Sequence, residues 1–387
     1  MLHDLIIYTP MYVTFFWAVI LLIAHQKKNR AKHFLGIFMV AAYFLYLSHA
    51  IFFKQYLDAY IIIEPVYIMA SLLVYPLYYW YIKLLTIETG INFKNLWMLV
   101  PGLLLGLITA ALYIAMTPDE QVIYLKEHLF QKNPFVFEKT IMKIQMWIFI
   151  TSRFVFAFQV IYFLIKGSKL VVHYNKRIAN FYSNLESRNI SWVNFLLYSF
   201  VFTSFMSIIF NVIGKAFFYD HTSLLLIPSI IFSTLLFIIG ILGYLQDHTV
   251  VDLLNDGYQK TDTFDIKKYN NELLKNHLLD IFEKDEIFKN PDLKITQVSS
   301  ILKTNRTYIS NLINKEFECT FNEFANQYRI KEAKNLLREE SFQMYSLEHI
   351  SEQCGFGSLS TFIRAFKESE GITPGRYRTK NRINLIN

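Results

Sequence analysis

Two short polar stripes near the C-terminus carry the side chains best suited to recognition chemistry. The first is Arg306, Thr307, Ser310, Asn311 and Asn314, and the second is Ser360, Thr361, Arg364 and Lys367. Hydroxyls and amides both donate and accept hydrogen bonds, and guanidinium groups fork onto acceptor pairs. Such sets match base edges and phosphate oxygens. The alternative is an ordinary wet helix face, but that would more often show Glu and Lys. Two stripes at matched places in turn-linked helices weigh against it.

The elements that must hold these stripes follow from apolar periodicity and capping residues. In Leu293–Phe317, Thr296 is the expected N-cap and Val298, Ile301 and Leu302 share one face. Lys303-Thr304-Asn305 forms a turn, and the next helix buries Ile309, Leu312, Ile313 and Phe317. Thr320-Phe-Asn-Glu323 is a capping-box pattern that opens a long helix to about Glu339. Phe321, Phe324, Tyr328, Ala333, Leu336 and Leu337 point inward, and the helix also carries Arg329, Lys331, Lys334 and Arg338. A second motif starts at Ser346, with Leu347, Ile350 and Cys354 as its stripe, Gly355-Phe356-Gly357-Ser358 as its turn, and Leu359, Phe362, Ile363 and Phe366 buried beyond. Thr373 and Pro374 then start a final helix, with Arg376, Arg378, Lys380 and Arg382 near the end.

The strings Asn326-Gln-Tyr-Arg-Ile-Lys-Glu-Ala-Lys-Asn-Leu-Leu337, Ile350-Ser-Glu-Gln-Cys-Gly-Phe-Gly-Ser-Leu-Ser-Thr-Phe-Ile-Arg-Ala-Phe-Lys367 and Gly371-Ile-Thr-Pro-Gly-Arg-Tyr377 resemble the DNA-binding domain of the AraC/XylS family. The resemblance covers about Leu293–Arg378. It implies that the second helix of each motif enters one of two successive major grooves of double-stranded DNA. Arg306, Thr307, Ser310 and Asn311 would lie in one groove, and Ser360, Thr361 and Arg364 in the next. It also implies RNA polymerase as a partner. Cys354 departs from the small or β-branched residue common there, a packing difference. Residues Pro291–Asn387 hold 14 basic against 11 acidic residues, a weak footprint for a stand-alone DNA binder. That points to a homodimer, or to DNA held near the membrane.

The first 245 residues have a different character. The chain is 53% hydrophobic and only 18% charged, against about a quarter charged for soluble domains. Seven apolar runs have the roughly 20 residues needed to cross a bilayer: Leu5–Ala24, Phe34–Phe53, Tyr60–Leu85, Leu96–Met116, Ile141–Ile165, Ser191–Ile213 and Ser223–Leu245. Pro65, Pro76, Pro101 and Pro228 fall inside them. The N-terminal run has no basic leader and no small-x-small cleavage pattern, so it reads as a retained span. Loops on one side hold ten basic residues (Lys27, Lys28, Arg30, Lys32, Lys94, Lys166, Lys169, Lys176, Arg177, Arg188) and those on the other five (Lys54, Lys126, Lys132, Lys139, Lys215). The positive-inside rule then puts the N-terminus outside and, after seven spans, the C-terminal region in the cytoplasm. The basic excess belongs to this half, with 18 Lys+Arg against 10 Asp+Glu, whereas residues 246–387 have 20 against 21. The chain's net +7 is therefore a membrane signal and not a nucleic-acid one.

His49, Glu64, Lys143, Gln145 and Arg153 lie within the spans. Ionisable groups there are expensive and usually face the interior in pairs. One reading is a signal site, with Glu64 pairing Arg153 or Lys143 in a ligand-dependent way. The others are a static pair or interfacial side chains. Residues 246–290 form an acidic linker, in which Tyr269, Leu273, Leu274, Leu278, Ile281 and Phe282 make an amphipathic helix. That helix could pack on the following domain, pair with a second copy or transmit motion from span seven. Cys319 and Cys354 have no metal-binding spacing, and no Walker, GxGxxG, HExxH or nucleophile-elbow motif occurs. No catalytic residue, metal or cofactor is expected.

The expected fold is all-α: a seven-helix transmembrane bundle (1–245), the linker (246–290) and an all-α domain with two helix-turn-helix motifs (291–387). The expected function is a one-component sensor-regulator of transcription in the bacterial cytoplasmic membrane. Its partners would be double-stranded DNA, the lipid bilayer and a small-molecule or envelope-derived signal. The alternatives are a transporter or enzyme whose tail reports occupancy, and a tail that serves as a protein-interaction module.

Overall fold

The computed structural model describes residues 2–23, 30–87, 93–130, 139–186, 222–245 and 271–386, with residues 198, 202, 205 and 209. The expected sixth span, apart from those four positions, and the linker up to residue 270 lie outside the described residues. Among the described residues the fold is all-helical, with one isolated antiparallel bridge and no strand. The chain divides into two domains. One takes Met1–Val172 and Ile190–Val250, and the other takes His173–Asn189 and Val251–Asn387.

The N-terminal domain contains α1 (Leu2–Ile23), α2 (Arg30–Phe53), α3 (Leu57–Thr86), α4 (Val100–Ala115), α5 (Pro118–Tyr124), most of α6 (Thr140–Ala179) and α7 (Leu226–Leu245). A 3-10 stretch, Phe93–Leu99, leads into α4. Among the described residues six helical stretches are long and apolar enough to cross a membrane. Ile62, Ile114 and Phe154 are 76%, 85% and 73% exposed, which is unfavourable in water and costs nothing against hydrocarbon. Helix α1 packs on α2 and α7, α2 on α3, and α3 on α4.

Glycine permits the closest of these approaches. Gly106 of α4 faces α3 so tightly that an added Cβ would lie 2.9 Å from Met69 Cβ and 3.1 Å from the Pro65 carbonyl oxygen. Gly102, one turn earlier, meets Met69 and Leu72 in the same way. This is the small-xxx-small spacing that lets two membrane helices pack backbone to backbone.

The prolines keep the places expected of them, and one span end needs correction. All four prolines fall within apolar helical stretches: Pro65 and Pro76 are inside α3, while Pro101 opens α4 and Pro228 lies in the first turn of α7, where a missing N–H removes no helical bond. The fifth span was expected to end at Ile165, yet α6 continues to Ala179 through the basic segment read as a loop. Polarity marks the end of the apolar stretch and does not end the helix. Between α4 and α6 a capping box joins Thr117 and Glu120, and the Glu120 carboxylate also pairs with Lys139.

The C-terminal domain contains α8 (Asn271–Glu283), a 3-10 turn (Ile287–Lys289), α9 (Ile295–Ile301), α10 (Arg306–Glu316), α11 (Phe321–Arg338), α12 (Leu347–Gln353), α13 (Leu359–Glu370) and α14 (Pro374–Ile386). Helix α8 buries Leu274, Leu278, Ile281 and Phe282, and the Phe282 ring sits 4.9 Å from Phe324 and 5.2 Å from Tyr328. The amphipathic helix therefore packs on α11. Leu273, expected on its apolar stripe, is exposed instead. A second cluster joins Leu336, Leu337, Ile350, Cys354, Phe356, Phe362 and Phe366.

Gly106→Val would force α3 and α4 apart, at an overpacking cost of about 1–3 kcal/mol. We expect the detergent-solubilised protein to lose monodispersity at a lower temperature. Leu104→Val, on an exposed position of the same helix, should leave that temperature unchanged.

Candidate nucleic-acid interface

The two motifs are built alike, except that the second turn is one residue longer. In the first, the Leu302 amide donates to the Val298 carbonyl at 3.0 Å and the Thr304 amide to the Ser299 carbonyl at 2.9 Å. In the second, Cys354 donates to Ile350 at 3.1 Å and Phe356 to Ser351 at 3.0 Å. The residue that turns the chain is left-handed in both, Lys303 at φ 50° and Gly355 at φ 82°. Each following helix is capped by a side chain. Asn305 Oδ1 accepts from the Thr307 amide at 2.9 Å, and Ser358 Oγ from the Thr361 amide at 3.3 Å. These caps take up amides that would otherwise lack partners at the helix start.

The buried positions of α10 and α13 also correspond. Ile309 matches Phe362 and Ile313 matches Phe366, and none of the four is exposed at all. That register makes Thr307, Asn311 and Asn314 equivalent to Ser360, Arg364 and Lys367. Asn311, Ser360, Arg364 and Lys367 are exposed, and Thr307 and Asn314 are half-buried. Arg306 and Ser310 are half-buried and match Leu359 and Ile363, so they flank the stripe rather than lead it. Thr361 matches Tyr308, a half-buried residue that the sequence reading did not select. Aligning the two helices by their buried pairs would have found it.

The two faces differ in charge. That of α10 presents a hydroxyl and two amides, with the Asn314 amide donating to Ser310 Oγ at 3.3 Å. That of α13 presents a hydroxyl and two cations. Ser358 Oγ lies 3.0 Å from Ser360 Oγ and 3.1 Å from Thr361 Oγ1, so the cap orders both hydroxyls of the second stripe. Lys331, Arg338, Arg376 and Lys380 are exposed elsewhere on the domain.

Three sequence assignments change here. Thr296 is inside α9, and the helix is opened by Lys294, whose amide donates to Gln297 Oε1 at 2.9 Å. Ile301, expected in the core, is 49% exposed. Arg329, grouped by sequence with the basic residues of α11, is 1% exposed. Burial pulls its guanidinium down to about 10, which leaves it charged at neutral pH. Cys354 is fully buried and its thiol is pushed up to about 12 by that burial, so it packs as an apolar side chain.

In the N-terminal domain, Glu64 and Gln145 are fully buried. The Tyr113 hydroxyl donates to Glu64 Oε2. Tyr60, Tyr67 and Tyr124 are within electrostatic reach of both Glu64 and Arg153. The half-buried His49 ring lies 5.4 Å from that of Tyr67. Arg153 covers the Phe149 ring at 4.4 Å with an exposed side chain. Lys143 is on the exposed face of α6. The tyrosine hydroxyls around Glu64 were not legible as partners, because aromatic residues in spans read first as packing.

A helix-turn-helix domain family profile matches residues 298–380. Those residues form an AraC-type helix-turn-helix domain. The chain is similar to the uncharacterized HTH-type transcriptional regulator YtdP of Bacillus subtilis, with 34% identity over 91 residues, 24% of this chain and 11% of that protein. It is also similar to the HTH-type transcriptional regulator YdeO of Escherichia coli O6:H1, with 31% identity over 121 residues, 29% of this chain and 46% of that protein. Among solved structures, the C-terminal domain of the two-component response regulator yesN from Fusobacterium nucleatum is 29% identical. That match covers 28% of this chain and 95% of that one, with a TM-score of 0.23. The chain spans less than half the length of these curated relatives.

The paired turns give a contrast in stability. Gly355→Ala would place Cβ 2.5 Å from the Lys289 carbonyl oxygen in a left-handed conformation that alone costs about 1–2 kcal/mol. We expect a loss of more than about 2 kcal/mol in pulse proteolysis of the full chain. Lys303→Gly, at the equivalent turn, should instead leave stability equal or raise it by up to about 1 kcal/mol.

Proposed function

We propose that this protein is a membrane-embedded, one-component transcription regulator whose C-terminal domain reads double-stranded DNA. The observation that carries this reading is the equivalence of Thr307, Asn311 and Asn314 with Ser360, Arg364 and Lys367. Two helices entered through similar left-handed turns, each capped and each showing hydrogen-bonding side chains outward, suit two successive major grooves. The AraC-type domain at residues 298–380 and the similarity to YtdP and YdeO, both HTH-type transcriptional regulators, support it. Arg306, Ser310 and Thr361 stand at the edges of the two stripes, where they would contact phosphates or neighbouring bases. RNA polymerase is the expected downstream partner. Dimerisation would compensate for the domain's small net charge.

In this reading the six apolar helices, with a seventh at Ser191–Ile213, anchor the protein in the bacterial cytoplasmic membrane. The N-terminus is outside and the DNA-binding domain is in the cytoplasm. The signal site is the buried group around Glu64, with Gln145, Arg153 and His49 near it and Lys143 at its rim. A ligand shifts such a bundle only through unequal affinity for its two arrangements, and a buried carboxylate held by a tyrosine hydroxyl offers a bond that a ligand can replace.

Full-length protein in nanodiscs should bind a mapped duplex with an affinity that falls steeply with salt. Arg364→Ala should cost about 1–3 kcal/mol and relax preference at one base position. A loss that is uniform across sequences would make Arg364 a phosphate contact, and no loss would remove α13 from the groove. Glu64→Gln, at unchanged protein level, should alter transcription from the mapped promoter. Unchanged output across growth conditions would exclude Glu64 from signalling.

A further inference from the structure

The C-terminal domain is not made only of residues after the last span. Residues 173–189, from the connection between the fifth and sixth spans, fold with it. Beyond the end of α6 the chain turns and lays Phe181-Tyr182-Ser183 along Leu293-Lys294-Ile295. The Ser183 amide donates to the Leu293 carbonyl at 3.0 Å and the Ile295 amide to the Phe181 carbonyl at 3.0 Å, with Tyr182 opposite Lys294 in the antiparallel bridge. Phe181, Tyr182 and Ser183 are 0%, 4% and 1% exposed. This is a single rung of β-addition, made by the chain to itself.

Side chains hold this strap at both ends. Arg329 donates from Nη1 to the Ser183 carbonyl at 2.9 Å and from Nη2 to Ser183 Oγ at 2.8 Å. The Asn322 amide donates to the same carbonyl at 2.7 Å. Farther along, Asn184 lies against Gly357, where any side chain would collide with it. Gly357 belongs to the turn that precedes α13. The strap therefore touches the start of the first motif, the helix between the motifs and the turn of the second.

We infer that this strap is a second, load-transmitting connection from the membrane helices to the DNA-binding domain, and that docked it holds the two recognition helices in their DNA-competent spacing. The part of α6 up to Val172 belongs to the N-terminal domain and its last turns to the C-terminal domain, with no helix break between them. A shift or rotation of α6 reaches Ser183 after four further residues. Undocking would strip Arg329 of two hydrogen bonds, both to Ser183, and would loosen the seam between the motifs.

The test uses the full chain in nanodiscs and rests on the proposed function only for its DNA readout. With Cys319→Ser as background, the pair Tyr182→Cys and Lys294→Cys faces across a non-hydrogen-bonded rung, where Cα atoms are about 4.5 Å apart. It should form a disulfide under mild oxidation, scored by thiol alkylation. Ser183→Pro deletes the donor to Leu293, and should speed amide exchange at Leu293–Gln297 at least tenfold and weaken binding to a mapped duplex at least tenfold. Oxidising the cysteine pair in that variant should restore both. Protected amides at Phe362 and Phe366 report that the second motif stays folded. The disulfide adds a bond rather than removing one, so it tests docking even where Ser183→Pro unfolds the domain. Absence of the disulfide, or Ser183→Pro with wild-type exchange, overturns docking. Faster exchange with unchanged duplex affinity overturns the transmission role. Failure of the wild-type chain to bind any duplex, with the disulfide formed, would instead overturn the DNA-binding reading.

Discussion

A guanidinium taken out of water must be given back every hydrogen bond it loses, and Arg329 receives all five. Its Nε donates to the Phe288 carbonyl at 2.8 Å, Nη1 to the Ser183 carbonyl and to Asn326 Oδ1, and Nη2 to Ser183 Oγ and the Asn290 carbonyl. Five N–H groups meet five acceptors, all of them neutral oxygens. The guanidinium also covers the Phe356 ring at 5.8 Å. One side chain thus ties the approach to the first motif, the central helix, the turn of the second motif and the segment that follows α6. Removing any one of these partners leaves the others with a charge buried and incompletely bonded, a costly state. The network is stable only as a whole, and this makes the domain sensitive to its least local member, Ser183.

The rest of the C-terminal domain is arranged around that joint. Helix α11, 18 residues from Phe321 to Arg338, is about 27 Å long at 1.5 Å per residue. That is comparable with the roughly 34 Å between successive major grooves on one face of DNA. A rigid α11 sets the separation of the motifs, and the Arg329 joint, near its middle, sets how each motif leans on it. The stripes are specified by their turns, but their joint use depends on contacts made elsewhere.

Much of this was legible in the sequence, for identifiable reasons. Bilayer thickness sets the length to look for, so apolar runs such as Ser223–Leu245 coincide with a helical stretch long and apolar enough to cross a membrane. Capping chemistry is local, so Thr320, Ser346 and the final helix at Pro374 were legible within a residue. What failed was non-local or hidden by residue type. Arg329 looked like surface charge in a basic helix, although Ala325, Arg329 and Ala333 share the four-residue step of its buried face. The basic run after Ile165 looked like a loop, because leaving the bilayer and leaving the helix give the same change of composition. A one-rung pairing such as Tyr182 with Lys294 has no periodicity to detect. Tyr113 could not be matched to Glu64, because their contact spans 49 residues and nothing in either neighbourhood selects the other.

The overshoot of α6 gives that connection its mechanical meaning. A flexible tether passes on displacement only when it is taut, since slack absorbs motion through backbone entropy. A continuous helix has its hydrogen bonds in place and moves as a unit, so motion at one end appears at the other with little loss. The chain passes between the domains at 172–173, at 189–190 and at 250–251, and the first of these passages is inside α6. Four residues after that helix ends, Ser183 is bonded to Arg329. On the connection inferred above, a movement of α6 need not pass through α7 to reach Ser183, because the helix ends four residues before it.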